Sequence, residues 1–205
     1  MSADNLIAGN RKGRKRPPRA LTKAEVNDLF RCAGGAKPGW LGTRNRAAVV
    51  LWWRSGLRVA ESLDLELRDI DFSTGEIHIR DGKGHKARVV GIDAMAADVI
   101  ERWLVVRQAH SISSRSPLLC DQHGNPWGDD GARAMLHRAA SRAGITKDVS
   151  PHILRHTMTV EMVREGVPIL HVSRQLGHSN LSTTHRYANH LAPDEVVASV
   201  RARSW

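Results

Sequence analysis

The chain uses tyrosine once in 205 residues, at Tyr187, nine residues after His178 in a run that opens Leu176-Gly177-His178. A lone phenol is a candidate nucleophile, and two further runs supply what an attack on a phosphodiester needs. Ser55-Gly56-Leu57-Arg58-Val59-Ala60-Glu61 carries one arginine, and Ser150-Pro151-His152-Ile153-Leu154-Arg155-His156 carries another with two histidines. Phosphodiester transfer demands a nucleophile, stabilised charge on the non-bridging oxygens of a five-coordinate phosphorus, and an acid for the leaving oxygen. A guanidinium suits the second task because its planar fork gives a phosphate two hydrogen bonds and stays charged. Arg58 and Arg155 are the candidates for that clamp. Tyr187 has to lose a proton whose ordinary pKa is about 10, which calls for a base or flanking cations, and His152 with the two arginines can provide both. Lys83, between Gly82 and Gly84, is either a solvated surface lysine or a general acid for a departing 5′ oxygen. Glu61 either pairs along a helix or orients Arg58 or a histidine. His178 either answers the carbonyl end of a helix or joins the same site.

His152 and His156 also stand at the spacing of a helical zinc pair. The residue after the first is Ile153 rather than glutamate, and no Cys or acidic partner lies nearby, so no metal and no other cofactor is expected.

These side chains need elements to position them. Thr22-Lys23-Ala24-Glu25 has the pattern of a capping box and starts a helix through about Cys32. After a Gly- and Pro-rich loop, Thr43 caps a second helix through Arg54, with Ala47, Val50, Leu51 and Arg54 on related faces. Gly56 fits its stop position, so Arg58 opens the next apolar-periodic segment. Residues 76–80 and 87–92 alternate like strands around the Gly-rich turn Asp81-Gly82-Lys83-Gly84-His85, which predicts a hairpin with Lys83 near its tip. Asp93 caps a long helix through about Gln108, with Met95, Val99, Ile100, Trp103, Leu104 and Val106 on its apolar stripe. Another helix covers 129–143. Ser150 as cap and Pro151 at the first position start a helix that ends at Gly166, and Pro168 begins one that ends at Gly177. Short helices near 180–190 and 194–203 finish the chain. The fold class expected is α+β, mainly helical with a small antiparallel sheet.

A formal charge of +10 draws the chain toward polyanions, of which nucleic acid is the commonest in a cell, although many basic proteins never bind DNA. Residues 1–19 have no hydrophobic period and hold Arg11, Lys12, Arg14, Lys15, Arg16 and Arg19. They read as a basic tail, disordered when free, that is either merely solvated or laid along DNA phosphates. Residues 20–205 then form one domain. Cys32 and Cys120 are too few for a disulfide framework, which favours a reducing compartment. No apolar stretch approaches a membrane span, so the expectation is a soluble cytoplasmic protein associated with the nucleoid, with no membrane partner.

Gly-Leu-Arg-x-x-Glu at 56–61, Gly-Lys-Gly at 82–84, His-x-Leu-Arg-His at 152–156, Leu-Gly-His at 176–178 and a tyrosine nine residues later resemble, in order and spacing, the signature of the tyrosine recombinase (phage integrase) family. The resemblance spans roughly residues 20–190, and it implies that family's catalytic-domain fold. It further implies that Tyr187 attacks the scissile phosphate to leave a 3′-phosphotyrosyl link and a free 5′-hydroxyl. Arg58, Arg155, His152 and His178 would hold and activate the phosphate, Lys83 would protonate the leaving oxygen, and Glu61 would support the site. Lys86, Arg88 and Arg186 would join the tail in binding DNA. The partners implied are double-stranded DNA, three further copies of the chain in a tetramer on two DNA sites, and accessory DNA-bending proteins. The helix at 194–203, with Val196, Val197 and Val200 on one stripe, would dock on a neighbouring copy or fold back on its own domain. With 19 residues before the first helix, the chain looks like the short members of the family, such as fimbrial-switch invertases and minimal phage integrases. Two alternatives share the fold: a type IB topoisomerase-like nicking and closing enzyme, and a non-catalytic DNA-binding regulator.

Overall fold

The computed structural model describes residues 19–35, 39–80, 87–177 and 201. Among the described residues, seven α-helices and a three-stranded antiparallel sheet run in the order α1 (Lys23–Gly34), α2 (Trp40–Trp53), α3 (Val59–Leu63), β1 (Ile70–Asp71), β2 (Glu76–Ile79), β3 (Arg88–Gly91), α4 (Ala94–Ala109), α5 (Asp129–Arg142), α6 (Pro151–Arg164) and α7 (Ile169–Leu176). Helix α2 is the axis of the domain, packed against α1, α4 and α6. Every residue from Ala47 to Trp53 is buried, so the second half of α2 is apolar all round and belongs to the interior rather than to a surface. The related faces expected for Ala47, Val50, Leu51 and Arg54 thus take in only part of what is buried. Trp52 donates to Ser62 Oγ (2.8 Å) and Trp53 to Glu161 Oε2 (2.8 Å), which satisfies both buried indoles and ties α2 to α3 and α6.

Local signals explain most boundaries. Thr22 Oγ1 accepts from Glu25 N, and the Glu25 carboxylate accepts from Thr22 N, closing the capping box of α1. Asp93 caps α4 through Ala96 N (2.8 Å) and Ser150 caps α6 through Ile153 N (3.3 Å), with Pro151 at the position where a missing N–H costs nothing. Leu21 is buried and its N–H reaches Thr157 Oγ1 at 3.0 Å, so the domain is already anchored just after Arg19.

Three expectations are corrected. Helix α2 starts at Trp40, not at Thr43: Trp40 packs edge-on to Trp103 at 4.5 Å between centroids, which draws the helix back by almost a turn, and the Thr43 hydroxyl donates to Gly39 O instead of capping. Met95 leaves the stripe of α4 and is 40% exposed, while Ala96, Ile100 and Trp103 face inward. The sheet has a third strand, β1, paired to β2 through Ile70 opposite Ile77. The two expected strands pair with Ile77 opposite Val90 and Ile79 opposite Arg88. Their turn, with Lys83, and the helices expected near 180–190 and 194–203 lie outside the described residues, apart from Arg201.

Candidate active site

The site forms where two chain reversals meet the first turns of α6. Beyond α2, the chain turns at Gly56, whose φ of +64° is the left-handed conformation that glycine adopts without a Cβ penalty. A Cβ there would fall 2.5 Å from Met158 Sδ. Buried Leu57 pins the turn, and Arg58 emerges as the residue that opens α3. One helical turn into α6, Arg155 points inward and is buried. Helix α7 stops at Gly177, again left-handed with φ +61°.

The backbone carbonyls freed at these reversals hold both arginines. Arg155 donates to Gly56 O through Nη1 and to Leu176 O through Nη2. Arg58 Nη2 donates to Gly177 O at 3.3 Å. Two guanidiniums distant in sequence are therefore moored to successive carbonyls at the end of α7, immediately before His178.

Glu61 completes the clamp. Its Oε1 accepts from Arg58 Nη1 (2.6 Å) and Arg88 Nη1 (2.8 Å), and its Oε2 accepts from the Arg58 backbone N–H (2.8 Å) and Arg88 Nη2 (2.8 Å). Burial pushes this carboxyl up, but the Arg88 hydrogen bonds, the Arg58 N–H and the two positive charges outweigh it and hold the pKa at about 2. Glu61 is therefore ionised at any ordinary pH. Arg88 was expected among the DNA-binding residues. In the structure its side chain is 14% exposed and both terminal nitrogens are bound to Glu61.

His152 lies on the first turn of α6 and is exposed there. Desolvation and then the charge of Arg155 push its pKa below the ordinary histidine value, favouring the neutral imidazole that can accept a proton. Among the described residues, no group of three or more His, Cys, Asp or Glu is placed to hold a metal ion. One residue escaped the sequence reading. Gln175 on α7 accepts from Gly91 N (3.0 Å) and donates to Gly91 O (2.9 Å) and Ser55 O (3.2 Å), so a single amide ties β3 to α7 and to the turn before Arg58. Its only sequence signal is its place beside Leu176-Gly177. Tyr187, Lys83, His178, Lys86, Arg186 and the basic residues from Arg11 to Arg16 lie outside the described residues, and Arg19 is exposed at the domain's edge.

Residues 19–193 match the phage integrase family. The tyrosine recombinase XerC of Halalkalibacterium halodurans is 34% identical over 197 residues, covering 93% of this chain and 64% of the relative, so the chain spans less than two thirds of that protein's length. The crystal structure of XerA recombinase superposes with a TM-score of 0.76 at 25% identity, over 92% of this chain and 67% of that one. The Tn1549 transposon integrase, in complex with transposon right-end DNA, shares the fold with a TM-score of 0.77 at 19% identity, over 93% of this chain and 67% of its own. The described helices and sheet are thus those of a tyrosine recombinase catalytic domain. The matched segment takes in Arg58, Glu61, His152, Arg155, His178 and Tyr187, and the chain belongs to the phage integrase family.

Proposed function

We propose that the chain is a site-specific DNA recombinase that cuts and rejoins double-stranded DNA through a 3′-phosphotyrosyl intermediate. The observation that supports this most is the mooring of Arg58 and Arg155 to the adjacent carbonyls of Gly177 and Leu176. Named acceptors at the end of α7 and at Gly56 and Glu61 fix the direction of both guanidiniums, which brings two permanently charged donor groups from distant parts of the chain to one place. Preorganised donors of this kind stabilise the charge that develops on the non-bridging oxygens without reorganising during reaction.

Tyr187 Oη attacks phosphorus as the P–O5′ bond breaks. The phenolic proton passes to neutral His152, and the 5′ oxygen takes a proton from Lys83 to leave as a hydroxyl. Arg58, Arg155 and His178 carry the charge of the five-coordinate phosphorus. The reaction runs backward when a 5′-hydroxyl from a second duplex attacks the phosphotyrosine, so the energy of the broken bond is kept and neither a metal nor a nucleotide is required. Exchange between two duplexes calls for four copies of the chain, with Lys86, Arg186 and the tail following the DNA backbone.

The test uses a supercoiled plasmid carrying two copies of DNA from the chain's own genomic neighbourhood. Recombinant circles that form with wild type and not with Tyr187→Phe are the expected result. Relaxation without exchange would make the chain a nicking and closing enzyme. Binding with neither reaction would make it a regulator.

A further inference from the structure

We propose that Arg88 is a positioning residue that sets Arg58 for reaction by holding its two anchors, Glu61 and Gly177. The inference rests on the recombinase reading above. Arg88 opens β3 and has no place in the phosphate chemistry, yet it touches both groups that fix Arg58. Each Glu61 oxygen accepts one bond from Arg58 and one from Arg88. Four donors on two oxygens leave the carboxylate no rotation, and bidentate pairing of this kind adds geometric specificity as well as energy. Without Arg88 each Glu61 oxygen keeps a single bond, both from Arg58, and the carboxylate loses the outside reference that fixes the Arg58 guanidinium.

The second anchor lies against the same side chain. A Cβ on Gly177 would stand 2.6 Å from Arg88 Nε and 2.7 Å from its Cδ, so the arginine stem fills the space beneath the residue whose carbonyl takes the other arm of Arg58. Arg88 thus fixes the direction of Arg58 from below while facing little solvent itself. A role through DNA charge is poorly served by a side chain 14% exposed and already paired. Geometry of this precision matters because a displacement of about 1 Å at reacting groups can cost about 10²-fold in rate.

The experiment measures single-turnover cleavage of a nicked suicide duplex at saturating DNA by the full chain, with DNA affinity against salt and thermal melting followed in parallel. Arg88→Met and Arg88→Lys are made in wild-type and Glu61→Gln backgrounds. The expected result is a cleavage rate at least about tenfold lower for Arg88→Met, with DNA affinity and its salt slope unchanged. Arg88→Lys, which keeps the charge but not the fork, stays close to Arg88→Met. In the Glu61→Gln background, Arg88→Met costs less than about twofold more, because the residue through which it acts has already been changed. Any of these results overturns the proposal: a salt slope reduced by about one contact with an unchanged rate, full rescue by lysine, or the same fold-loss whether or not Glu61 is present. If Arg88→Met does not fold, Arg88→Lys decides on the same readouts. A wild-type chain that binds DNA but never forms an adduct overturns the recombinase reading and this proposal with it. Wild-type adduct with normal rates in the Arg88 variants overturns this proposal alone.

Discussion

Glu61→Gln keeps the side chain's shape and removes the negative charge shared by two guanidiniums. One of its two oxygens becomes an amide that donates, set against donors from Arg88 and Arg58. The carboxyl titrates at about 2 in the folded chain against about 4.3 when exposed. That difference corresponds to about 3 kcal/mol of stability at neutral pH. Breaking a buried pair by removing one partner typically costs about 3–5 kcal/mol, and the Glu61 side chain is 4% exposed, so solvent screening takes little from the figure. For a chain of this size the melting temperature should fall by roughly 6–12 °C. The sign with pH follows from a folded pKa below the unfolded one. The contribution is complete above about pH 4.3 and is lost as pH falls toward about 2, with about half gone by pH 3. Urea unfolding of wild type and Glu61→Gln at pH 7, 5 and 3 reads this directly. A loss below about 1 kcal/mol at pH 7, or an undiminished loss at pH 3, would refute the buried, doubly paired carboxylate.

Desolvation and Arg155 hold the His152 pKa down, so the acid limb of cleavage should have its midpoint below the ordinary histidine value of about 6.5 and disappear in His152→Gln; a midpoint above that value removes His152 as the base. Gly177→Ala should lose about 1–2 kcal/mol from its left-handed backbone and slow cleavage as well, because its Cβ displaces Arg88. Gly166→Ala, also left-handed but with open space around the added carbon, should lose stability alone, and equal cleavage rates in the two variants would contradict the packing beneath Gly177. Gln175→Leu removes three hydrogen bonds and should cost about 1–2 kcal/mol while speeding hydrogen exchange at the Gly91 amide. Unchanged exchange there would separate β3 from α7.

What could be read from the residues follows the range of each signal. The caps at Thr22, Asp93 and Ser150 act over three residues, and the structure has all three where the local pattern puts them. The strand pairing of 76–79 with 88–91 follows from alternation on either side of a Gly-rich turn. The start of α2 does not, because a tryptophan contact with α4 decides it. β1 was missed because two residues show no alternation, although Asp71 Oδ1 accepting from Ser73 N (2.8 Å) ahead of Gly75 marks a turn that could have suggested a hairpin. At the site, Arg58, Glu61 and Arg155 were legible as residue types at short spacings. Arg88 was not, since its partner lies in another element and a basic residue after a hairpin turn reads equally well as a DNA contact. Gln175 offers no signal beyond its place beside Leu176-Gly177; its bonds form only when α7 packs on β3.

The most direct test is peptide mapping of the covalent complex trapped on a nicked suicide duplex, with each DNA strand labelled separately. The predicted result is a DNA-linked peptide containing Tyr187, joined through a 3′ phosphate and accompanied by a new 5′-hydroxyl. An adduct on any other residue, a link through a 5′ phosphate, or no adduct on DNA that the chain demonstrably binds would contradict phosphotyrosyl transfer at this site.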